Sequence, residues 1–155
     1  MNPEDEKIVR MLRESRVVAV VGASPNPARD SHDVMAFLQR RGYRAIPVNP
    51  ACREPEILGE KVWPRLSDVP ERIDLVDVFR RSEVAGQAVD EAVEIGARFV
   101  WLQLGVIDER AAARAEAAGV PVVMNRCPKI EIPRLLDAQA VDPQAIGQGA
   151  VDPAD

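Results

Sequence analysis

Cysteine, histidine and aromatic residues are scarce in this chain: two, one and 4% of 155 positions. Cys52 and Cys127 stand in no C-x-x-C or Cys/His pattern, which argues against a structural zinc site and a disulfide framework. Two unpaired thiols suit a reducing compartment. No apolar run approaches the roughly 20 residues that cross a bilayer. The N-terminus, "MNPEDEKIVR", is acidic and has no apolar signal core behind it, so a cytoplasmic protein without a membrane partner is expected. A basic excess is also missing. Lys and Arg number 20 against 25 Asp and Glu, giving a net charge of -5, and without a basic footprint no nucleic-acid partner is expected. What is present, 46% hydrophobic and 29% charged residues, is the composition of a globular protein. A single domain of this length buries roughly two-thirds of the surface its unfolded chain exposes.

Hydrophobic periodicity divides the chain into alternating elements. Ile8, Val9, Met11 and Leu12 predict an amphipathic helix over Glu4 to Glu14. Val17 to Val21, short and rich in β-branched residues, reads as a buried parallel strand. Ser31 is expected to cap a helix carrying Val34, Met35, Phe37 and Leu38, with Gly42 as its stop. A second strand over Tyr43 to Val48 ends at Asn49-Pro50. Turn chemistry then fills Ala51 to Val69, apart from a short extended piece at Trp63-Pro64. The third strand runs from Ile73 to Phe79, and Ser82 caps a helix closed by Gly96. The fourth spans Phe99 to Leu104, Asp108 opens an alanine-rich helix stopped by Gly119, and Val120 to Met124 is the fifth. A short helix is expected after Pro133. Residues 1–138 thus form one domain, and from Gln139 onward the period is lost, which predicts a flexible C-terminal tail over 139–155. Strand-helix alternation with short connections specifies a doubly wound α/β fold on a five-stranded parallel sheet. Its ligand crevice should lie at the carboxyl ends of the strands.

Five loops begin there, at Gly22, Asn49, Phe79, Gln103 and Asn125. The first matches only one glycine of the dinucleotide pattern G-x-G-x-x-G: Ser24 and Pro27 stand at the second and third places. Gly22 still permits the tight turn and Ser24 offers a hydroxyl, while the helix behind them directs its positive end at the crevice. A phosphate-binding loop is therefore expected over Gly22, Ala23 and Ser24, against the plainer reading of a proline-rich turn. An NAD site also wants a carboxylate after the second strand. Asn49 stands in its place, and a neutral amide would not repel a phosphorylated ribose. Arg29, Arg53, Arg80, Arg81 and Arg126 all fall in these loops; guanidinium forks match phosphate oxygens, though at least two of the five are expected to be ordinary solvated surface.

The segments "VVGASPNPARDSHDV", "GYRAIPVNPACREPEILGEKVW", "IDLVDVFRRSEV", "VWLQLGV" and "VVMNRCPKIE" follow one another at the five strand ends. In that order, over about Ile8 to Leu136, the chain resembles the stand-alone CoA-binding proteins and the N-terminal nucleotide domain of the succinyl-CoA synthetase alpha subunit. The resemblance implies a Rossmann-like CoA-binding domain with the ligand's pyrophosphate near Gly22, Ala23 and Ser24. It implies further that Val48, Asn49 and Pro50, then Val78, Phe79 and Arg80, wall the adenine and pantetheine, with Gln103 and Gly105 beside them. The ligand so implied is coenzyme A or an acyl-CoA. The ligase's phosphorylated histidine lies outside this domain, so that chemistry is not carried over.

His32, at a helix N-terminus, could touch a ligand phosphate as a neutral donor, though a surface or capping role is the plainer account. Asp74 and Asp77, three apart in a strand, face opposite sides of the sheet and cannot work as a carboxylate pair; both are expected to bond to loop amides. Cys127, after the fifth strand, lies at the correct edge to approach a ligand and with Cys52 is a candidate for a mixed disulfide with CoA, weighed against a plain thiol. Trp101 reads as core. Three functions follow: a non-catalytic carrier, sensor or partner module for CoA; the nucleotide-binding subunit of an acyl-CoA synthetase-type enzyme whose catalytic residues lie on another chain; and, ranked last, an NAD-dependent oxidoreductase. A protein partner or homo-oligomer stays open.

Overall fold

The computed structural model describes residues 1–137. Helix α1 (Pro3–Glu14) leads into β1 (Val17–Val21), α2 (Asp30–Arg40) and β2 (Arg44–Val48). A two-stranded hairpin follows, β3 (Glu56–Ile57) and β4 (Glu60–Lys61). Then come β5 (Leu75–Val78), α3 (Ser82–Glu94), β6 (Phe99–Leu102), α4 (Glu109–Ala117), β7 (Val122–Val123) and the short α5 (Pro128–Glu131), which continues as a wider π turn over Ile132–Asp137. The main sheet has the order β2-β1-β5-β6-β7 and every pairing in it is parallel. This is the doubly wound α/β architecture that the alternation predicts, and the strand order reverses between β1 and β5.

One further strand is present in rudiment. Trp63 makes a lone parallel bridge to Val48 on the outer side of β2, with its N–H donating to the Pro47 carbonyl at 3.0 Å and its carbonyl accepting from Asn49 N–H at 2.9 Å. A parallel ladder would next need an N–H from residue 47, and proline has none. The ladder therefore stops at one rung. Counting Trp63, the order becomes that of a six-stranded dinucleotide fold whose third strand is reduced to a single residue.

The core lies in two layers. Val18, Val20, Leu75, Phe99 and Trp101 pack against Ile8, Met11, Met35, Leu38 and Ile132 from α1, α2 and the C-terminal turn. Ala19, Val21, Val76, Val78 and Leu102 pack against the alanine-rich faces of α3 and α4, among them Ala85, Ala92, Ala111 and Ala115. Small residues there let those helices sit close to the strands.

Several boundaries differ from the sequence expectation. Arg29 and Arg81, not serine, occupy the N-cap positions of α2 and α3, without a side-chain capping bond. Ser82 instead accepts from Ile107 N–H at 3.0 Å and donates to the Gly105 carbonyl at 3.3 Å, tying two rim loops together. Asp108 does cap α4, accepting from Ala111 N–H at 3.0 Å. The last helix starts at Pro128 rather than after Pro133, because Pro128 already supplies a first-turn proline. The tail expected over 139–155 lies outside the described residues.

Asp74 holds the Arg16 and Val17 amides at 2.9 and 3.0 Å, as expected of it. Asp77 does not follow. It is fully buried between Val20 and Trp101 in the register, and neither carboxylate oxygen has a hydrogen-bond partner. The loop amides assigned to it lie beyond the strand end, whereas its side chain emerges at the centre of the sheet. Burial pushes its carboxyl well above the usual 3.8, so the folded protein holds it as the neutral acid. Above that usual value the unfolded chain releases the proton and the folded chain keeps it. Its contribution to stability is therefore unfavourable above pH of about 4 and absent below it. An Asp77→Asn variant should match or exceed the parent in urea unfolding, with an advantage that widens from about pH 4 toward pH 7. A constant difference across that range would show that Asp77 ionises freely in the fold.

Candidate functional site

The rim is shaped first by Gly22. Its φ of +87° turns the chain sharply after β1, its N–H donates to the Val48 carbonyl at 2.8 Å, and a Cβ placed there would lie 2.1 Å from the Phe79 carbonyl oxygen. No other residue allows β1 and β5 to close so tightly at the reversal point. The loop beyond it is built by short side chains: Ser24 Oγ accepts from Asn26 N–H at 3.1 Å, and Asn26 Oδ1 from Ala28 N–H at 2.9 Å. Asn49 braces it from β2, donating through Nδ2 to the Ala23 carbonyl at 2.9 Å while Oδ1 accepts from Ala51 N–H at 2.9 Å. Both ends of that amide are thus engaged in structure.

Two cavities open on this rim, one on each side of the β1 turn. The larger, of about 620 Å³, is walled by Gly22, Ser24, Ala28, Arg29, Asp30 and Ser31 from the first loop and α2, by Asn49, by Phe79, Arg80 and Arg81 after β5, and by Gln103, Leu104 and Val106 after β6. The smaller, of about 530 Å³, lies between the end of β2 and α3. Its floor is Val21, Val48, Val84 and Ala88, its edge Pro50, Pro64, Arg65 and Arg80, and its far wall Gln87, Asp90, Glu91 and Glu94. Arg80 belongs to both. Cavities of this size are typical of small-molecule sites.

Charge distinguishes them. Arg41, Arg44, Arg98, Arg114 and Arg134 are each held by carboxylates. Arg29, Arg80 and Arg81 form no ion pair among the described residues, and all three border the larger cavity, as does the N-terminal end of α2 with its partial positive charge. The lining of that cavity thus holds three guanidinium groups outside any ion pair and one carboxylate, Asp30. The smaller cavity differs: Arg65 is paired with Asp68, and three carboxylates stand on α3. That acidic wall is not among the residues expected at the site. Its signal, acids at positions 90, 91 and 94 beside the apolar stripe of α3, reads in sequence as a solvated helix face.

Of the residues expected at the site, Gly22, Ser24, Arg29, Asn49, Phe79, Arg80 and Gln103 line the larger cavity and Val48 and Pro50 the smaller. Ala23 is 1% exposed and contributes its carbonyl to Asn49 rather than a surface. Val78 is wholly buried against α3 because the strand alternation turns it into the core. His32 and Gly105 line neither cavity; Gly105 N–H donates to Asn125 Oδ1 at 2.8 Å. Cys127 is 6% exposed and packs with Ile132 and Leu135, so it faces the core and not the ligand crevice. Arg126 is drawn off by Glu131 at 3.7 Å and Glu4 at 3.9 Å. Arg81, one of the five loop arginines, lines the larger cavity too, and Leu104 and Val106 join it without having been singled out. Among the described residues no cluster of His, Cys, Asp and Glu could hold a metal ion, and no helix is long and apolar enough to span a membrane.

A doubly wound sheet with twin cavities flanking its reversal point is the architecture of a nucleotide-binding domain. The chain belongs to the CoA-binding domain family, whose profile matches residues 16–133. It is 39% identical over 129 residues to the uncharacterized protein YneT of Bacillus subtilis, covering 83% of this chain and 94% of that one. It is 30% identical over 122 residues to an ADP-forming acetate-CoA ligase of Archaeoglobus fulgidus, where the match covers 72% of this chain but only 18% of the ligase. A hypothetical protein from Pyrococcus horikoshii superposes with a TM-score of 0.80 at 39% identity, covering 85% of this chain and 92% of that one. A dinucleotide-forming acetyl-coenzyme A synthetase of Candidatus Korarchaeum cryptofilum, in complex with phosphate and ADP, does so at 0.66 and 25% identity, covering 75% of this chain and 27% of its own.

The bracing role of Asn49 has a direct consequence. Asn49→Asp removes the donor to Ala23 and sets a carboxylate against a carbonyl oxygen, which should lower stability by about 1–3 kcal/mol in urea unfolding. An unchanged midpoint would mean that the loop stands without this brace.

Proposed function

We propose that the chain binds coenzyme A or an acyl-CoA across the two cavities, as a carrier, sensor or partner module that contributes no catalytic group of its own. The observation that carries this reading is the trio Arg29, Arg80 and Arg81, outside any ion pair and all bordering one cavity beside a helix N-terminus. Pyrophosphate is the ligand group that such a set neutralises best, since each guanidinium offers a planar fork to phosphate oxygens. The smaller cavity, apolar at its floor and acidic on one wall, suits an adenine ring and its amino group. Arg80, common to both, stands where the ribose and its phosphate would lie. The pantetheine arm then runs the other way, past Phe79 to Gln103. An NAD reading is weaker, because Asn49 is committed on both sides to the backbone and supplies no carboxylate to a ribose diol.

A second reading uses the same site. In the archaeal ligase and synthetase the matching region is a minor part of a longer chain, which supports a role as the CoA-holding part of an assembly whose catalytic residues lie on another polypeptide. Acyl-CoA turnover by this protein mixed with such a partner, and by neither alone, would distinguish it from a carrier.

Calorimetric titration with CoA, dephospho-CoA, NAD and ATP should rank CoA tightest, with affinity falling as salt is added. Arg80→Gln should weaken CoA by roughly 10- to 100-fold, the worth of one charge-assisted hydrogen bond. Tighter binding of NAD, or no binding of CoA, would overturn the proposal.

A further inference from the structure

The outer end of the larger cavity changes chemistry. Gln103 is 5% exposed, lines the cavity, and its Oε1 has no hydrogen-bond partner. A buried carbonyl acceptor left empty costs stability unless a donor arrives. Phosphate oxygens accept and do not donate at neutral pH, so this position calls for a ligand N–H. One residue further on, Leu104 lines the same cavity and is 54% exposed, and Ile107, across the turn closed by Val106 N–H on the Gln103 carbonyl at 2.9 Å, is 47% exposed. Large aliphatic side chains left half in water on one turn, contiguous with a ligand cavity, form an apolar landing.

The sheet order sets these chemistries in sequence. Moving from β2 through β1 and β5 to β6, the rim presents the apolar-floored cavity, the arginines, the Gln103 amide, whose covered Oε1 reaches the cavity only if the amide turns, and the aliphatic turn. We infer that the site is built for an acyl thioester of CoA rather than the free thiol. A pantetheine amide N–H meets Gln103 Oε1, and an aliphatic acyl chain lies over Leu104 and Ile107. This rests on the CoA reading above. A protein partner fits the turn less well, because a stable interface covers about 800 Å² per partner from some 20–30 residues, and this landing consists of two side chains.

The test is calorimetry of the full chain with CoA, acetyl-CoA, butanoyl-CoA and hexanoyl-CoA. A fully buried methylene tightens binding about fourfold; a one-sided wall should give about half of that free energy, close to twofold per methylene. Hexanoyl-CoA, four methylenes longer, should therefore bind roughly 16-fold tighter than acetyl-CoA. In Leu104→Ser the ratio of the two affinities should fall below about threefold, a readout that cancels any general loss of binding. Gln103→Leu should weaken CoA and hexanoyl-CoA by the same factor, since the amide precedes the acyl group. A flat acyl series on a protein that binds CoA would overturn this inference alone and leave the turn to a protein partner. CoA binding undiminished in Gln103→Leu would overturn the amide assignment. Failure of CoA itself to bind would instead refute the underlying site.

Discussion

The closure of β1 against β5 at Gly22 is the constraint on which the site depends. The Cα at that position sits so close to the Phe79 carbonyl that a side chain has no room, and the positive φ suits glycine. Three consequences follow from one residue. The chain leaves the sheet on the α2 side, the first loop turns back over the strand end where Asn49 can hold it, and a gap remains on either side of the turn. Those gaps are the two cavities. The glycines missing from the second and third places of the dinucleotide pattern are replaced by a different construction, in which Ser24 and Asn26 side chains bond the following amides and Asn49 bonds the Ala23 carbonyl. The result is an open loop with a rigid base.

Electrostatics then divides what the turn has separated. The chain carries a net charge of -5, so an unpaired guanidinium here is surrounded by available carboxylates, and several arginines have taken one. Arg13, Arg16, Arg40, Arg53, Arg72 and Arg110 also form no ion pair among the described residues, so what sets Arg29, Arg80 and Arg81 apart is that all three border one cavity. On the other side of the turn, α3 places Asp90, Glu91 and Glu94 along the smaller cavity. Negative charge thus lines one side of the turn, while the unpaired guanidinium groups border the other.

Much of this was legible in sequence where local physics and tertiary context agree. Runs such as Val17 to Val21 can be little other than buried strands, and the helix-stop positions Gly42, Gly96 and Gly119 all adopt φ between 79° and 92°. The site loops were found because a doubly wound sheet leaves one edge for ligands. What was hidden depended on contacts distant in sequence. Ser82 reads as a cap, yet its hydroxyl serves the loop at Gly105 and Ile107. Arg126 reads as a ligand arginine until Glu4 and Glu131 come beside it in the fold. Cys127 lies at the right edge of the sheet and faces the wrong way, a choice made by the packing of the C-terminal turn. The acids of α3 were invisible as a site wall because helix periodicity reports which residues face the core and is silent on what covers the rest.

Asp77 sharpens the difference between a group that is merely buried and one that is put to use. Acid-base sites move a carboxyl's pKa by burial and then give the proton a destination, in a cleft within hydrogen-bond reach of a substrate. Asp77 meets the first condition and not the second: it is sealed beneath the sheet face, outside the lining of both cavities, with no donor or acceptor against either oxygen. The residues that do line the cavities are arginines, amides, small hydroxyls, aliphatic side chains, Phe79, and the acids Asp30, Asp90, Glu91 and Glu94. That set carries both signs of charge, with most of the acids on α3 and the unpaired arginines in the segments after β1 and β5. Where the rim turns aliphatic, Leu104 and Ile107 offer contact area and no titratable group.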